Sequence, residues 1–163
     1  MKAAFLDTSA LAAILFDEPA SSRIRDVLSQ FGSVHASGLL EAEIRSAAAR
    51  ENVNQSDVDA VLTPVKWVLP DRPLSQELRP VILSGYPLRG ADAWHIACAL
   101  YLAGDPSALP FITLDGDQAQ VAARVGFKVL PGASPFGSAR EPQAAYKTGK
   151  SRAKSGKRKT KVS

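Results

Sequence analysis

The 163-residue chain holds a single cysteine, Cys98. That excludes a disulfide framework and fits a reducing compartment, so a cytoplasmic location is expected. Cys98 lies in the apolar helical pattern Ala97-Cys98-Ala99-Leu100 and reads as a small core residue rather than a thiol nucleophile. Long apolar runs are missing as well. No segment approaches the roughly 20 apolar residues of a membrane span. The opening run Ala3–Leu6 is cut short by Asp7, unlike the core of a signal peptide. No internal repeat is visible. Hydrophobic residues make up 45% of the chain and charged residues 22%, which places the bulk of it among ordinary globular proteins.

Charge is present but unevenly placed. Residues 147–163 carry eight cations and no acid, leaving 12 of the 20 basic residues to face all 16 acids in residues 1–146. The body is therefore acidic, and the net charge of +4 describes the tail rather than the fold. From Pro131 onward Pro, Gly, Ser and Ala give way to Lys and Arg. This composition predicts one domain over 1–131 and a disordered basic C-terminal tail over 132–163. Lys154, Lys157, Arg158 and Lys159, with no aromatic residue among them, are candidate sequence-independent contacts to RNA phosphates; a merely solvated terminus is the plain alternative.

Within the body, apolar runs alternate with helical periodicity. Short strands are expected at Ala3–Leu6, Ser33–Ala36, Lys66–Leu69, Pro110–Thr113 and Lys128–Leu130. Helices are expected at Ala10–Phe16, Ser21–Gln30, Leu39–Arg50, from Ser56 to Val65, at Pro73–Leu83, Ala91–Ala103 and Asp117–Val125, with Pro80 awkward inside its helix. The helix from Ala91 is apolar nearly all round and belongs at the centre. Strands alternating with helices argue for an α/β fold, a central parallel β-sheet flanked by helices.

Four acids occupy unusual positions. Asp7 and Asp115 each follow a strand and precede a helix, which in a parallel sheet puts both at the edge where ligands bind. Asp92 stands in the first turn of the apolar helix. Glu43 borders the apolar stripe of an earlier helix, where a lone charge is costly. Each has a plain alternative as a helix cap, turn residue or edge charge. Together, four neighbouring carboxylates repel one another unless a cation joins them. A hard divalent ion such as Mg²⁺ suits oxygen ligands, and on carboxylates it suits displacement at phosphorus. On this reading Thr8 can cap the first helix instead, leaving Asp7 for the metal.

The order Phe5-Leu6-Asp7-Thr8-Ser9-Ala10-Leu11, Ala36-Ser37-Gly38-Leu39-Leu40-Glu41-Ala42-Glu43-Ile44, Ala91-Asp92-Ala93-Trp94-His95-Ile96-Ala97 and Ile112-Thr113-Leu114-Asp115-Gly116-Asp117 resembles a PIN domain. Within that family it is most similar to the small VapC-type toxins of bacterial toxin–antitoxin pairs. The resemblance spans about residues 1–131 and implies a PIN-like three-layer fold. It implies a Mg²⁺- or Mn²⁺-dependent endoribonuclease whose metal cluster, carried over by position, is Asp7, Glu43, Asp92 and Asp115. Asp117 is an additional or substitute acid. Ser9 supports the metal or its water, and His95 is a supporting residue that also reads as a satisfied core histidine. Glu41 competes with Glu43, but the interval from Ser37 and the helical face favour Glu43. Also implied are RNA hydrolysis leaving a 5′-phosphate and a 3′-hydroxyl, a small VapB-like antitoxin that blocks the cleft, and a homodimer. Trp94 stands where a smaller aliphatic residue is common, and the basic tail is not a standard part.

Three rivals are weighed against this. A housekeeping RNA-processing nuclease of the same fold shares the site. An aspartyl-phosphate phosphatase of the haloacid-dehalogenase type also places an Asp after the first strand, but it needs a second acid where this chain has Ser9, and a lysine partner that has no candidate. A non-catalytic RNA-binding module requires a degenerate site, whereas all four acids are present.

Overall fold

Five short parallel strands form the middle of the computed structural model, which describes residues 2–131. In chain order the elements are β1 (Ala3–Leu6), α1 (Thr8–Leu15), α2 (Ser21–Leu28), β2 (Ser33–Ser37), α3 (Gly38–Arg50), α4 (Gln55–Leu62) and β3 (Val65–Val68). Then follow α5 (Ser75–Ile82), α6 (Gly90–Leu102), a single 3₁₀ turn (Pro106–Ala108), β4 (Phe111–Ile112), α7 (Gly116–Arg124) and β5 (Val129–Leu130). The strand order is β3-β2-β1-β4-β5. The expected parallel sheet flanked by helices is the observed fold.

Period-two alternation along the strands divides the core into two layers. Ala4 and Leu6 of β1 face a cluster with Leu11, Ile14, Ile24, Leu40, Ile44, Val58 and Leu62 from α1 to α4. Phe5 faces the other way, into Leu74, Val81, Ile96, Phe111, Val121 and Phe127 around α5 to α7. Phe5 and Phe111, paired across β1 and β4, stack with ring centroids 5.5 Å apart. Six residues of α6, from Ala93 to Ala99, are buried, as its all-round apolar pattern requires. Helix α7 ends in a Schellman turn: Phe127 N donates to Ala122 O and Gly126 N to Ala123 O, with Gly126 at φ 105°, a value that favours glycine.

The chain turns back at β1. Strands β2 and β3 are added on one side, and β4 and β5 on the other. The carboxyl ends of β1 and β4 therefore flank a switch point, the usual place for a ligand in an open parallel sheet. Asp7 N donates to Ile112 O at 2.9 Å, so Asp7 leaves the sheet beside the segment that becomes Thr113 to Asp115.

Some boundaries differ from expectation. Helix α1 starts two residues early because Asp7, not Thr8, caps it: the Asp7 carboxylate accepts from Ser9 N. Helix α4 stops at Leu62, and Val65 instead pairs with Val34 in β3, where a β-branched residue packs well. Leu69 lies beyond β3 and is exposed. Strand β4 has only two residues. Pro80 neither ends nor splits α5; standing near the carboxyl end of a short helix, it forfeits a single backbone bond. Residues 132–163, with the basic tail and the candidate contacts Lys154, Lys157, Arg158 and Lys159, lie outside the described residues.

Candidate functional site

Asp7 is buried at the end of β1 and is fastened on both oxygens. Its Oδ2 accepts from Ser9 N at 3.0 Å and from Ser9 Oγ at 2.7 Å, with Thr113 Oγ1 at 3.1 Å. Its Oδ1 accepts from Gln118 Nε2 at 3.0 Å. Ser9 Oγ in turn accepts from Leu114 N at 2.9 Å, which ties the start of α1 to the loop after β4.

Asp115 ends that loop as the cap of α7, accepting from Gln118 N at 2.7 Å through Oδ1. Its own backbone N–H donates to Thr113 Oγ1 at 3.0 Å. Asp115 and Asp117 are exposed, and the Asp117 carboxylate has no hydrogen-bond or ion-pair partner among the described residues.

Glu43 reaches the same place from α3, but through intermediaries. Thr8 Oγ1 donates to Glu43 Oε2, and His95 Nε2 stands 2.9 Å from the same oxygen. His95 Nε2 is also 3.9 Å from Asp7 Oδ1, so the imidazole sits between the two carboxylates. Its Nδ1 meets Ser37 Oγ at 2.9 Å. Since a carboxylate oxygen accepts, Nε2 carries the proton toward Glu43. Burial works against charge on His95, yet the bond to Glu43 and the fields of Asp7, Glu43 and Asp92 outweigh it and hold the imidazole above its ordinary value. Burial raises the Glu43 carboxyl, but hydrogen bonds from His95 and Thr8 and the His95 charge bring it below the usual range. Glu41 points elsewhere, paired with Arg45 at 2.9 Å.

Asp92 lies in the first turn of α6, part-buried. Desolvation pushes its carboxyl up to about 6, with the charges of Asp115 and then Asp7 adding to the rise. That shift shows Asp92 within the field of both other acids. The backbone carbonyl of Asp92 is itself 3.4 Å from Gln118 Nε2.

The fold thus gathers Asp7, Glu43, Asp92 and Asp115 with Ser9 and His95 at one sheet edge, while Asp117 stays on the exposed first turn of α7. Among the described residues no three His, Cys, Asp or Glu side chains stand together in ion-holding geometry as they are. Glu43 is drawn to Thr8 and His95, and Asp92 meets the other acids through its field. The donor chemistry nevertheless fits a hard divalent cation: all donors are oxygens, and the charges of Asp115 and Asp7 add to the rise of the Asp92 carboxyl.

Sequence reasoning missed Gln118, and it missed Thr8 and Ser37 as the partners of Glu43 and His95. Asp115-x-x-Gln118 has the form of a capping box, the one signal available. Its backbone half forms, but the Gln118 side chain reaches back to Asp7 instead of to Asp115 N.

Residues 4–124 match the PIN domain family. The chain belongs to that family. A PIN domain implies a nuclease, a hydrolase acting on nucleic acid, and nucleases of this kind generally use divalent metal ions. The structure of PAE2754 from Pyrobaculum aerophilum is similar over 74% of this chain and 84% of that one, with a TM-score of 0.51 and 20% identity, a likeness of fold. No curated protein matches the chain. No helix among the described residues of this PIN domain is long and apolar enough to cross a membrane.

Proposed function

We propose that the chain is a Mg²⁺- or Mn²⁺-dependent endoribonuclease of the VapC toxin type, with Asp7, Glu43, Asp92 and Asp115 as its metal-holding acids. The observation that carries this reading is the convergence of Asp7, Asp115 and the Asp92 backbone on Gln118 at the switch point of a PIN-family sheet. Asp117, two residues on from Asp115, can lend a further oxygen. When bound, a divalent ion supplies Lewis acidity at the phosphodiester and acidifies water at neutral pH. The chain's own residues do the rest. Ser9 and Gln118 fix the Asp7 carboxylate. His95 and Thr8 hold Glu43, and the protonated side of His95 offsets part of the crowded negative charge. Substrate would meet the site from the exposed side, where Asp115 and Asp117 lie.

The test is cleavage of a structured RNA by the purified full-length protein with Mg²⁺, with chelator, and in Asp7→Asn. Cleavage should stop in chelator. It should also fall in Asp7→Asn by more than the roughly 10–100-fold that follows loss of a ligand's hydrogen-bond partner. Activity that survives chelator, or that Asp7→Asn leaves unchanged, removes the mechanism. Equal cleavage of single-stranded DNA of the same sequence removes the preference for RNA.

The toxin reading carries the expectations of a cytoplasmic homodimer and of a small VapB-like antitoxin that covers the acids. They are checked by light scattering, and by whether the product of a short upstream overlapping reading frame suppresses cleavage. A nuclease with no such suppressor belongs instead to housekeeping RNA processing.

A further inference from the structure

Gln118 is fully buried and polar on all sides of its amide, a costly arrangement unless every group is matched. All are matched here, and all by the site. Nε2 donates to Asp7 Oδ1 at 3.0 Å and approaches the Asp92 carbonyl at 3.4 Å. Oε1 accepts from Thr113 Oγ1 at 2.8 Å, and the backbone N–H donates to Asp115 Oδ1 at 2.7 Å. The amide has one sensible orientation, because a carboxylate oxygen only accepts and so must face the NH₂.

The consequence lies in the lone pairs. A carboxylate offers about four acceptor directions. On Asp7, Oδ2 is filled by the two Ser9 donors with Thr113 beside them, whereas among the described residues Oδ1 has Gln118 alone within hydrogen-bond distance. His95 Nε2 stands 3.9 Å from that same oxygen. On Asp115, Oδ1 is taken by the Gln118 N–H, and Oδ2 has no partner among the described residues.

We propose that Gln118 is the positioning residue of this centre, fixing the carboxylates of Asp7 and Asp115 in the orientation in which they would serve a divalent cation. The proposal rests on the metal reading above. It deepens that reading by assigning to one non-ionisable residue the orientation of two acids that are 108 positions apart in the chain numbering.

The experiment uses the full-length protein and measures Mn²⁺ affinity by calorimetry together with thermal stability, in the wild type, Gln118→Met, Gln118→Asn and Val121→Ala. Gln118→Met keeps bulk but has no amide. Gln118→Asn keeps an amide one methylene too short to reach Asp7, and it supplies the measurement if the Met variant does not fold. Val121 is buried one turn along α7, in the apolar cluster with Phe5, Phe111 and Phe127, so Val121→Ala reports destabilisation alone. Mn²⁺ should bind Gln118→Met and Gln118→Asn about tenfold more weakly or worse, as for other hydrogen-bond partners of metal ligands, with Val121→Ala unchanged in affinity though less stable. Wild-type affinity in a folded Gln118 variant overturns the positioning role and leaves the metal reading standing. An equal loss in Val121→Ala overturns it too, since instability alone then accounts for the effect. A wild-type protein that binds no Mn²⁺ overturns both.

Discussion

Replacing Asp92 with Asn should make the metal-free protein more stable while removing one of its proposed ligands. The folded state holds the Asp92 carboxyl near 6, against an ordinary value of 3.8, chiefly through burial and then through the charges of Asp115 and Asp7. The sign follows directly. A carboxyl whose value is raised by folding binds its proton more tightly when folded, so it costs nothing below the unfolded value. Its cost grows as the pH rises from 3.8 and levels off above about 6. At about 1.4 kcal/mol per pH unit of displacement the full cost is about 3 kcal/mol. Asp92 retains contact with solvent, and its charge gains a little from the amino end of α6, so about 1–2 kcal/mol is the expected gain for Asp92→Asn at pH 7.5. At pH 4.5 about a third of that should remain. Urea unfolding in chelator at the two pH values measures it. A gain of the same size at both pH values, or a loss at pH 7.5, would refute the reasoning, because neither outcome can arise from a carboxylate forced to ionise beside two others.

Two further outcomes test the core around the site. The Cys98 thiol is pushed up to about 12 by burial, so a disulfide-exchange reagent at pH 8 should leave the native protein unmodified and react once urea unfolds it. Prompt modification of native protein would show that α6 opens far more readily than its packing implies. Phe111→Ala removes a fully buried ring that stacks on Phe5 and tilts against Phe127, and it should cost about 3–5 kcal/mol in urea unfolding, with the loss of order falling on the β1–β4 edge that carries Asp7. A loss under about 1 kcal/mol would mean that the pocket collapses around the smaller side chain.

Periodicity made most of this architecture legible. The alternation of Ala4, Phe5 and Leu6 and the stripes of the helices around them are local patterns, and the layers they built are the layers observed. What failed was local competition. Val65 fits the end of a helix by pattern, yet pairing with Val34 is available only once β2 is in place. The gathering of acids at the β1 and β4 ends could be reasoned from parallel topology, because that topology fixes which loop ends are neighbours. The partners of those acids could not. Gln118 meets Asp7 across 111 residues, and Ser37 meets His95 across 58, contacts with no periodic trace in a single sequence.

Asp7 and Asp115 show why the cap and ligand readings of such residues do not compete. Each is in fact a helix cap: Asp7 for α1 through Ser9 N, and Asp115 for α7 through Gln118 N. Capping occupies one oxygen of each carboxylate, and the second oxygen of Asp7 is met by Gln118 from α7. Thr8, freed from capping, is what reaches Glu43. The local rule that acids stabilise helix starts therefore delivers two carboxylates to one sheet edge, where Gln118 contacts both. It also dictates the informative substitution. Alanine at either position removes a cap worth about 0.5–2 kcal/mol as well as a charge. Asparagine keeps an oxygen for the cap; at Asp115 it removes the charge alone, whereas at Asp7 its NH₂ would also face the Gln118 Nε2 donor. Asp115→Asn is therefore the variant that separates the stability of α7 from the cation affinity of the site.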